Sequence, residues 1–505
     1  MSADRAESAQ ADAAVVDVGS NSVRLVLYRL DGRAIWSIFN EKILAGLGRD
    51  LAVTGRLAPK GVQTALIALS RFQALIEGAN PPLIHVVATA AVRDAKDGEA
   101  FRRRVAAETG LELRILSGAE EARTSALGAM AGAPGLDGLV GDLGGASMEL
   151  VRIENGQPGL GVTLPLGPFS LAGEFDPGRV RATAERLLNP LRSEFASRRL
   201  TCVGGAWRNL ALLHMQLTGY PLAIVHQYEM SREEALDTAR FVERQSRASL
   251  ERIEVISRRR IESLPHAAAV LASLVESFKF ERVAFSAYGL REGLIYDAMS
   301  SARKADSPLT AGCAALGGRP AAAEELGAAL EAWLAKAFGK LEPRFGARDR
   351  ALLAAACRLA DLGTQLHPDH RASLIFEQVL RAPIAGLGHD ERVFLACAAF
   401  ARHTASRDKP DAPIVSRLLS PERYQRARAL GAAIRLGCDL SGRSPELLGR
   451  TRLDIRPKDL TLQADPGWEE ICLGEAVAKR AQTLAGLLNR PLRLKGGLEP
   501  ARKAG

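Results

Sequence analysis

A chain of 505 residues is too long for one hydrophobic core and fits about three domains of ~150 residues. With 47% hydrophobic and 25% charged residues it excludes a disordered or fibrous chain, and no apolar run approaches the ~18 residues of a membrane span. Aromatics at 5% disfavour an RNA reader built on stacking, while a formal charge of +9 favours a polyanionic partner without specifying any chemistry.

Residues 1–12 read as a disordered tail with no apolar signal core. Strands are predicted at 13–18 and 22–30 and, after the Asp31-Gly32 turn, at 34–39. A helix over 58–78 places Leu66, Leu69, Phe72 and Leu75 on one stripe. The apolar run 83–89 is a buried strand feeding a helix over 89–109, and a strand at 111–116 feeds a helix from Ser117. This alternation defines an α/β layer fold. After breaks at Ala133-Pro134-Gly135 and Asp137-Gly138 the pattern repeats. Strands are predicted at 138–142 and 146–153, continued through Asn155-Gly156, then a helix at 178–197 and a strand at 200–204. Helices at 206–218, 231–247 and 265–278, a strand at 281–287 and a helix at 289–300 complete it. The stretch 301–320, rich in Ala, Gly, Ser and Pro, reads as a linker. Helical periodicity then marks 324–341, 349–363, 370–380, 390–403 and 421–440, and the short alternating runs after about 450 predict a small sheet. The implied organisation is a tail (1–12), two α/β domains (13–135 and 136–305) and a helical domain (306–505) with a small C-terminal subdomain. Cys202, Cys313, Cys357, Cys397, Cys438 and Cys472 form no CxxC pair and sit in apolar runs. They read as small core residues in a reducing compartment, so a cytoplasmic location is expected.

The chemistry concentrates in a repeat. AAVVDVGSNSVRLVLYRL carries Asp17, Gly19 and Ser20, and LVGDLGGASMELVRI carries Asp142, Gly144, Gly145 and Ser147. Each is an apolar strand, an Asp, a glycine turn with small hydroxyls, and a second strand. An Asp at a strand end reaches a metal or a water, and glycine turns let backbone N–H groups close on phosphate. Two copies 125 positions apart predict two like-built domains whose loops face each other across a cleft. Between them, Ser117 and Glu120 form a capping box, which gives Glu120 a structural task. Glu121 has none, and it stands at the carboxyl end of a strand, where open α/β sheets hold ligands. Arg93, placed in the first turn of its helix after a Thr89 cap, opposes the helix dipole and so calls for a partner such as phosphate. A third turn, Gly204-Gly205, opens a helix whose N-terminus accepts an anion. The run Arg258-Arg259-Arg260 reads first as a solvated turn and second as a guide for a polyanion.

DVGSNSVRL, ATAAVRDA, SGAEEAR, DLGGASMEL, VGGAWRNLA and YGLREGLIYD occur in this order, and the set resembles the exopolyphosphatase and guanosine-pentaphosphate phosphohydrolase family. The resemblance spans about residues 13–300, and the total length is similar to the long members with a C-terminal helical domain. It implies two ribonuclease-H-like domains around a cleft, as in the actin, Hsp70 and sugar-kinase superfamily, followed by an HD-like helical domain. It implies Mg²⁺-dependent (or Mn²⁺-dependent) hydrolysis of the terminal phosphate of inorganic polyphosphate. Guanosine pentaphosphate, with tetraphosphate as a possible ligand, is the alternative substrate class. The family's base falls on Glu121 and its metal-binding aspartate on Asp142, with Asp17 and Glu149 beside it. Its phosphate contacts fall on Ser20, Asn21, Arg24, Arg93, Gly144, Gly145 and Ser147. The departures are Ala146 in a usual Gly-Gly-Gly turn, Ala206 in place of a hydroxyl residue, and Glu262 and Ala267 in place of Asp and Gly. In the helical domain Ala360-Asp361 replaces the HD motif's His-Asp, and the literal His389-Asp390 reads as a helix start with Asp390 as N-cap. That domain therefore reads as metal-free, a basic surface for long polyphosphate and a homodimer contact. A non-catalytic alarmone sensor would lack the Glu121–Asp142 pair, an ATP-dependent kinase would carry a different first loop, and nucleic-acid binding rests on charge alone.

Overall fold

Ala13–Val18 (β1) is buried on both faces, which is why its sequence is a continuous apolar run rather than an alternation. It pairs antiparallel with Val23–Asp31 (β2) and parallel with Leu83–Ala88 (β4). With Ala34–Ile43 (β3) and the two-residue Arg114–Ile115 (β5) they form a sheet in the order β3-β2-β1-β4-β5. The elements come from a computed structural model that describes residues 11–170, 175–318 and 321–496. The first ten residues of the expected tail and residues 319–320 of the expected linker lie outside the described residues.

The second sheet repeats the plan. Gly138–Leu143 (β6), Met148–Glu154 (β7) and Gln157–Leu164 (β8) are antiparallel neighbours, and Arg199–Val203 (β9) runs parallel to β6. Tyr228–Ser231 (β10) and Arg282–Phe285 (β11) complete the order β10-β11-β9-β6-β7-β8. In both sheets the strand carrying the Asp is central, between its antiparallel hairpin partner and a parallel strand. Both sheets belong to one compact unit, Met1–Ala305, and the remainder, Asp306–Gly505, forms a second.

The helices of the first unit include Pro59–Ala79 (α1), Ala90–Asp94 (α2), Gly98–Thr109 (α3), Gly118–Gly132 (α4), Pro177–Leu188 (α5), Gly205–Leu217 (α6), Arg232–Glu243 (α7), Leu264–Phe278 (α8) and Leu290–Ala298 (α9). The buried Trp207 of α6 packs in the second sheet's core and donates its indole N–H to Ala267 O at 2.9 Å. Helix α4 begins with the expected capping box: Glu120 N donates to Ser117 Oγ (3.2 Å) and the Glu120 carboxylate accepts from Ser117 N (2.9 Å). Helices α4 and α9 cross at glycines: a methyl group on Gly128 would lie 1.9 Å from Gly289 O, and one on Gly293 would lie 1.8 Å from Thr124 O.

Four expectations fail for identifiable reasons. The helix over 89–109 breaks into α2 and α3, because Lys96 N bonds Gly55 O and the Asp97 carboxylate accepts from Leu57 N, pulling the chain off the helical path. Arg93 therefore stands in the last turn of a short helix, where the dipole favours a cation, so the dipole argument for a partner falls away. The helix over 178–197 ends at Leu188 in favour of a 3₁₀ turn containing Pro190. The described part of the linker is helical: Pro308–Gly317 (α10) is capped by Ser307, and its Leu309 and Cys313 are buried. Strand β10, flanked by no turn signature, had no counterpart among the predicted elements.

In the second unit Ala321–Phe338 (α11), Asp349–Arg358 (α12), Pro368–Arg381 (α13), His389–His403 (α14), Pro421–Ser441 (α15) and Glu475–Leu487 (α16) pack as a helical body. Thr451–Ile455 (β12), Leu460–Ala464 (β13) and Leu492–Lys495 (β14) form the expected small sheet. Gly388, not Asp390, occupies the N-cap of α14; Asp390 lies two residues on, in the first turn, and pairs with Arg423 at 2.7 Å. Among the described residues no helix is long and apolar enough to cross a membrane.

A candidate active site between two like-built sheets

The two glycine turns meet. A methyl group on Gly145 would lie 3.0 Å from Cβ of Ser20 and 3.1 Å from the Phe169 ring, so a side chain there would push its neighbours back. Ser20 and Ser147 are buried in the turns, and Asn21 O accepts from Gly46 N at 3.0 Å. Two of the turn N–H groups are not free for phosphate. Gly19 N donates to Ser22 O (3.0 Å) and Gly144 N to Ser147 O (2.9 Å), closing their own hairpins.

Beside the turns lies a polar cavity of about 160 Å³. It gathers Asp17, Arg24, Asp142, Gly204 and Gly205 from the expected residues, and adds Ser22, Lys42, Arg208, Arg260 and Arg291. Arg24 is held by Asn40 Oδ1 at 2.7 Å, and Arg291 stands 3.6 Å from Asp17. Arg260 lies over the start of α6, close enough that a methyl group on Gly205 would meet its guanidinium at 2.7 Å. Its neighbours in the arginine run, Arg258 and Arg259, are exposed. Glu262 pairs with the exposed Arg247, away from these residues.

Glu121, Arg93 and Glu149 do not line the cavity. Arg93 Nη1 donates to Glu121 Oε2 at 2.7 Å and to Leu116 O at 3.3 Å, and its Nε bonds Asp94. Arg93 therefore holds a carboxylate in this structure. Ser125 of α4 donates to Asp142. Glu149 is buried opposite Asp142 in the β6–β7 pair, and its Oε1 has no hydrogen-bond partner among the described residues.

Burial disfavours the charged form of most of these groups. Burial pushes the Glu121 carboxyl up to about 7 against the pull of Arg93, with Asp142 and Asp17 adding to the rise. Burial raises Glu149 well above the carboxylate range, helped by Glu121 and Asp142. Asp17 and Asp142 are raised by burial despite nearby arginines. On the other side, burial and the repulsion of Arg260, Arg24, Arg208 and Arg291 bring Lys42 down to about 7. Arg208 falls to about 10 through burial and the charges of Arg291 and Arg24. The cavity thus carries five bases against Asp17 and Asp142, and a buried Glu149 oxygen has no partner among the described residues, an imbalance that binding of a polyphosphate and a divalent ion would relieve.

Sequence reasoning passed over Lys42, Arg208 and Arg291 and ranked Arg260 as a solvated turn. Arg208 and Arg291 lay inside quoted motifs, three residues beyond Gly205 and two beyond Gly289. Lys42 stands directly across from Arg24 in the β2–β3 register, and no local signal marks it.

Two like-built lobes with facing glycine turns and a cationic cleft define an enzyme of phosphoryl chemistry on a duplicated ribonuclease-H-like fold. Residues 26–302 match the Ppx/GppA phosphatase family and residues 320–494 match the exopolyphosphatase C-terminal family. The chain belongs to the Ppx/GppA phosphatase family and is a phosphatase of its long form. Exopolyphosphatase 1 of Mycobacterium tuberculosis is 26% identical over 329 residues, 61% of this chain and 95% of the relative. Among solved structures, the Aquifex aeolicus Ppx/GppA family member matches 58% of this chain and 99% of its own, at 24% identity and a TM-score of 0.51. An exopolyphosphatase from Cytophaga hutchinsonii matches 56% and 96%, at 20% identity and a TM-score of 0.52.

Proposed function

We propose that this phosphatase is an exopolyphosphatase that removes the terminal phosphate of inorganic polyphosphate, with Mg²⁺ or Mn²⁺ and with Glu121 as general base. The observation that carries the reading is the charge of the cavity, five bases against Asp17 and Asp142. None of the described residues lining that cavity is aromatic, which favours an inorganic chain over a guanine that needs a stacking partner. All six cysteines are free and buried, in keeping with a reducing cytoplasm.

The acids fit a hard divalent ion. Glu149 offers a buried oxygen without a partner, and Asp142 stands directly across from it. Mg²⁺ keeps most of its shell as water and phosphate oxygens, so a site without three convergent protein ligands among the described residues still suits it. Asp142 and Glu149, with Asp17 near, would hold the ion, and when bound it supplies charge neutralisation to the phosphate oxygens.

The chain's own residues do the rest. Arg24, Arg208, Arg260 and Arg291 hold the polyanion and place its end at the turns, and positioning and charge neutralisation dominate phosphoryl transfer. Ser20, Asn21, Gly145 and Ser147 present turn N–H and hydroxyl groups to the terminal phosphate. Glu121, half ionised near neutral pH, takes the proton of the attacking water, and Arg93 fixes its orientation.

The test is phosphate release against polyphosphate length in Mg²⁺, with and without guanosine pentaphosphate as competitor. Faster release from guanosine pentaphosphate than from any polyphosphate would move the assignment to the alternative substrate. A second expectation concerns Arg260. A charge-assisted hydrogen bond contributes ~1.5–3 kcal/mol, so Arg260→Met raises KM for polyphosphate at least about tenfold. Because Arg260 serves binding, kcat stays within about twofold of wild type. Steady-state kinetics at two salt concentrations check both, and an unchanged KM removes Arg260 from the substrate path.

A further inference from the structure

The helical unit holds a cavity that phosphate chemistry leaves unused. Its volume is about 530 Å³, within the ~300–1,000 Å³ of small-molecule sites. Phe338, Leu353, Phe394 and Leu430, from helices α11, α12, α14 and α15, are buried and form its apolar floor. Lys336 and Arg350 stand exposed at its rim. Arg426 lines it one helical turn before Leu430, so the two side chains share a face of α15.

The polar groups of this cavity are unbalanced. Asp349 is the one acid among its described lining residues. Its Oδ2 already accepts from the backbone N–H groups of Arg344 (3.0 Å) and Phe345 (2.7 Å), which closes the turn into α12. Its Oδ1 is 3.9 Å from Arg426, beyond hydrogen-bond reach. Arg426 donates to Glu342 O at 2.9 Å, and burial still pulls its pKa down more than Asp349 restores it. A half-buried guanidinium whose nearest carboxylate is 3.9 Å away stands beside an apolar floor. A neutral hydrocarbon would leave that cation unanswered, and a hydrated polyanion would be desolvated against the floor without compensation. The ligand that answers both has one anionic head and an apolar body.

We propose that this cavity binds a small amphiphilic carboxylate, its head on Arg426 and its apolar body against Phe338, Leu353, Phe394 and Leu430. Calorimetric titration of the full chain with decanoate tests it. Decanoate saturates at a stoichiometry near one, decanol binds at least about tenfold more weakly, and decyltrimethylammonium shows no saturable binding. Arg426→Gln weakens decanoate by at least about tenfold, to the level of decanol. Ala335→Trp, which fills the cavity from α11, abolishes binding of both. Thermal melts establish that each variant is folded, and the three-ligand series on the wild-type chain decides the matter if a variant is not. Absence of saturable decanoate binding, equal binding of decanol, or full affinity in folded Arg426→Gln overturns the proposal.

Discussion

Glu121→Gln loses about 10²–10⁴-fold in kcat on polyphosphate while KM changes little, because a general base acts on the transition state and not on the bound ground state. The wild-type enzyme supplies its own control through pH. Glu121 must be ionised to accept a proton, and burial lifts its pKa to about 7. Its kcat/KM therefore rises with pH along a one-proton limb centred near 7, and the variant lacks that limb. Stability moves the opposite way. A carboxyl whose folded-state pKa is raised binds its proton more tightly in the native state, so native stability declines as pH rises from the ordinary carboxyl value through about 7. Glutamine removes that decline, and the variant's gain in Tm over wild type is larger at pH 8 than at pH 5. A Glu121→Gln enzyme that is inactive because it is unfolded fails this melt comparison, and one that keeps near-wild-type turnover is incompatible with Glu121 as the base.

The repeat of Asp17 and Asp142 is legible because both hairpins turn tightly at a strand end, where Gly, Ser and Asn are favoured. What the repeat conceals is a difference seven residues on. Asp17 pairs across its hairpin with Arg24, and Asp142 pairs with Glu149. One hairpin therefore sets a cation opposite its Asp and the other an acid, an offset that suits a division between phosphate and metal in the proposed reaction. That offset can be read from sequence once the antiparallel register is known. The cationic wall cannot. Lys42 reaches it through the β2–β3 pairing and Arg260 through a 3₁₀ turn far along the chain. Charge at these positions has no local period, and only tertiary placement separates a solvated arginine run from one whose last member lines a cleft. The break between α2 and α3 was hidden for the same reason, since the bonds from Lys96 and Asp97 run to residues some forty positions away.

The α4–α9 crossing sets the second large effect. Helix α4 carries Glu121 and Ser125, and α9 follows Gly289 and carries Arg291, so their contact fixes Glu121 relative to Arg291. The backbones approach so closely that a methyl group on Gly293 would sit 1.8 Å from Thr124 O, against main chain that cannot rotate away. Gly293→Val must push the helices apart. Overpacking a core costs ~1–3 kcal/mol, and each kcal/mol moves Tm by roughly 2–4 °C in a large unit, so Tm falls by about 2–12 °C. A misplacement near 1 Å costs on the order of 10²-fold in rate, and kcat drops by about that factor in the protein that remains folded. Gly78→Ala is the matched control. Gly78 lies in helix α1 with nothing within 4 Å of an added methyl group, so alanine there raises stability by ~0.5–1 kcal/mol and leaves kcat unchanged. If Gly293→Val melts and turns over like Gly78→Ala, the helix crossing does not position the base, and Glu121 is held by its bond to Arg93 alone.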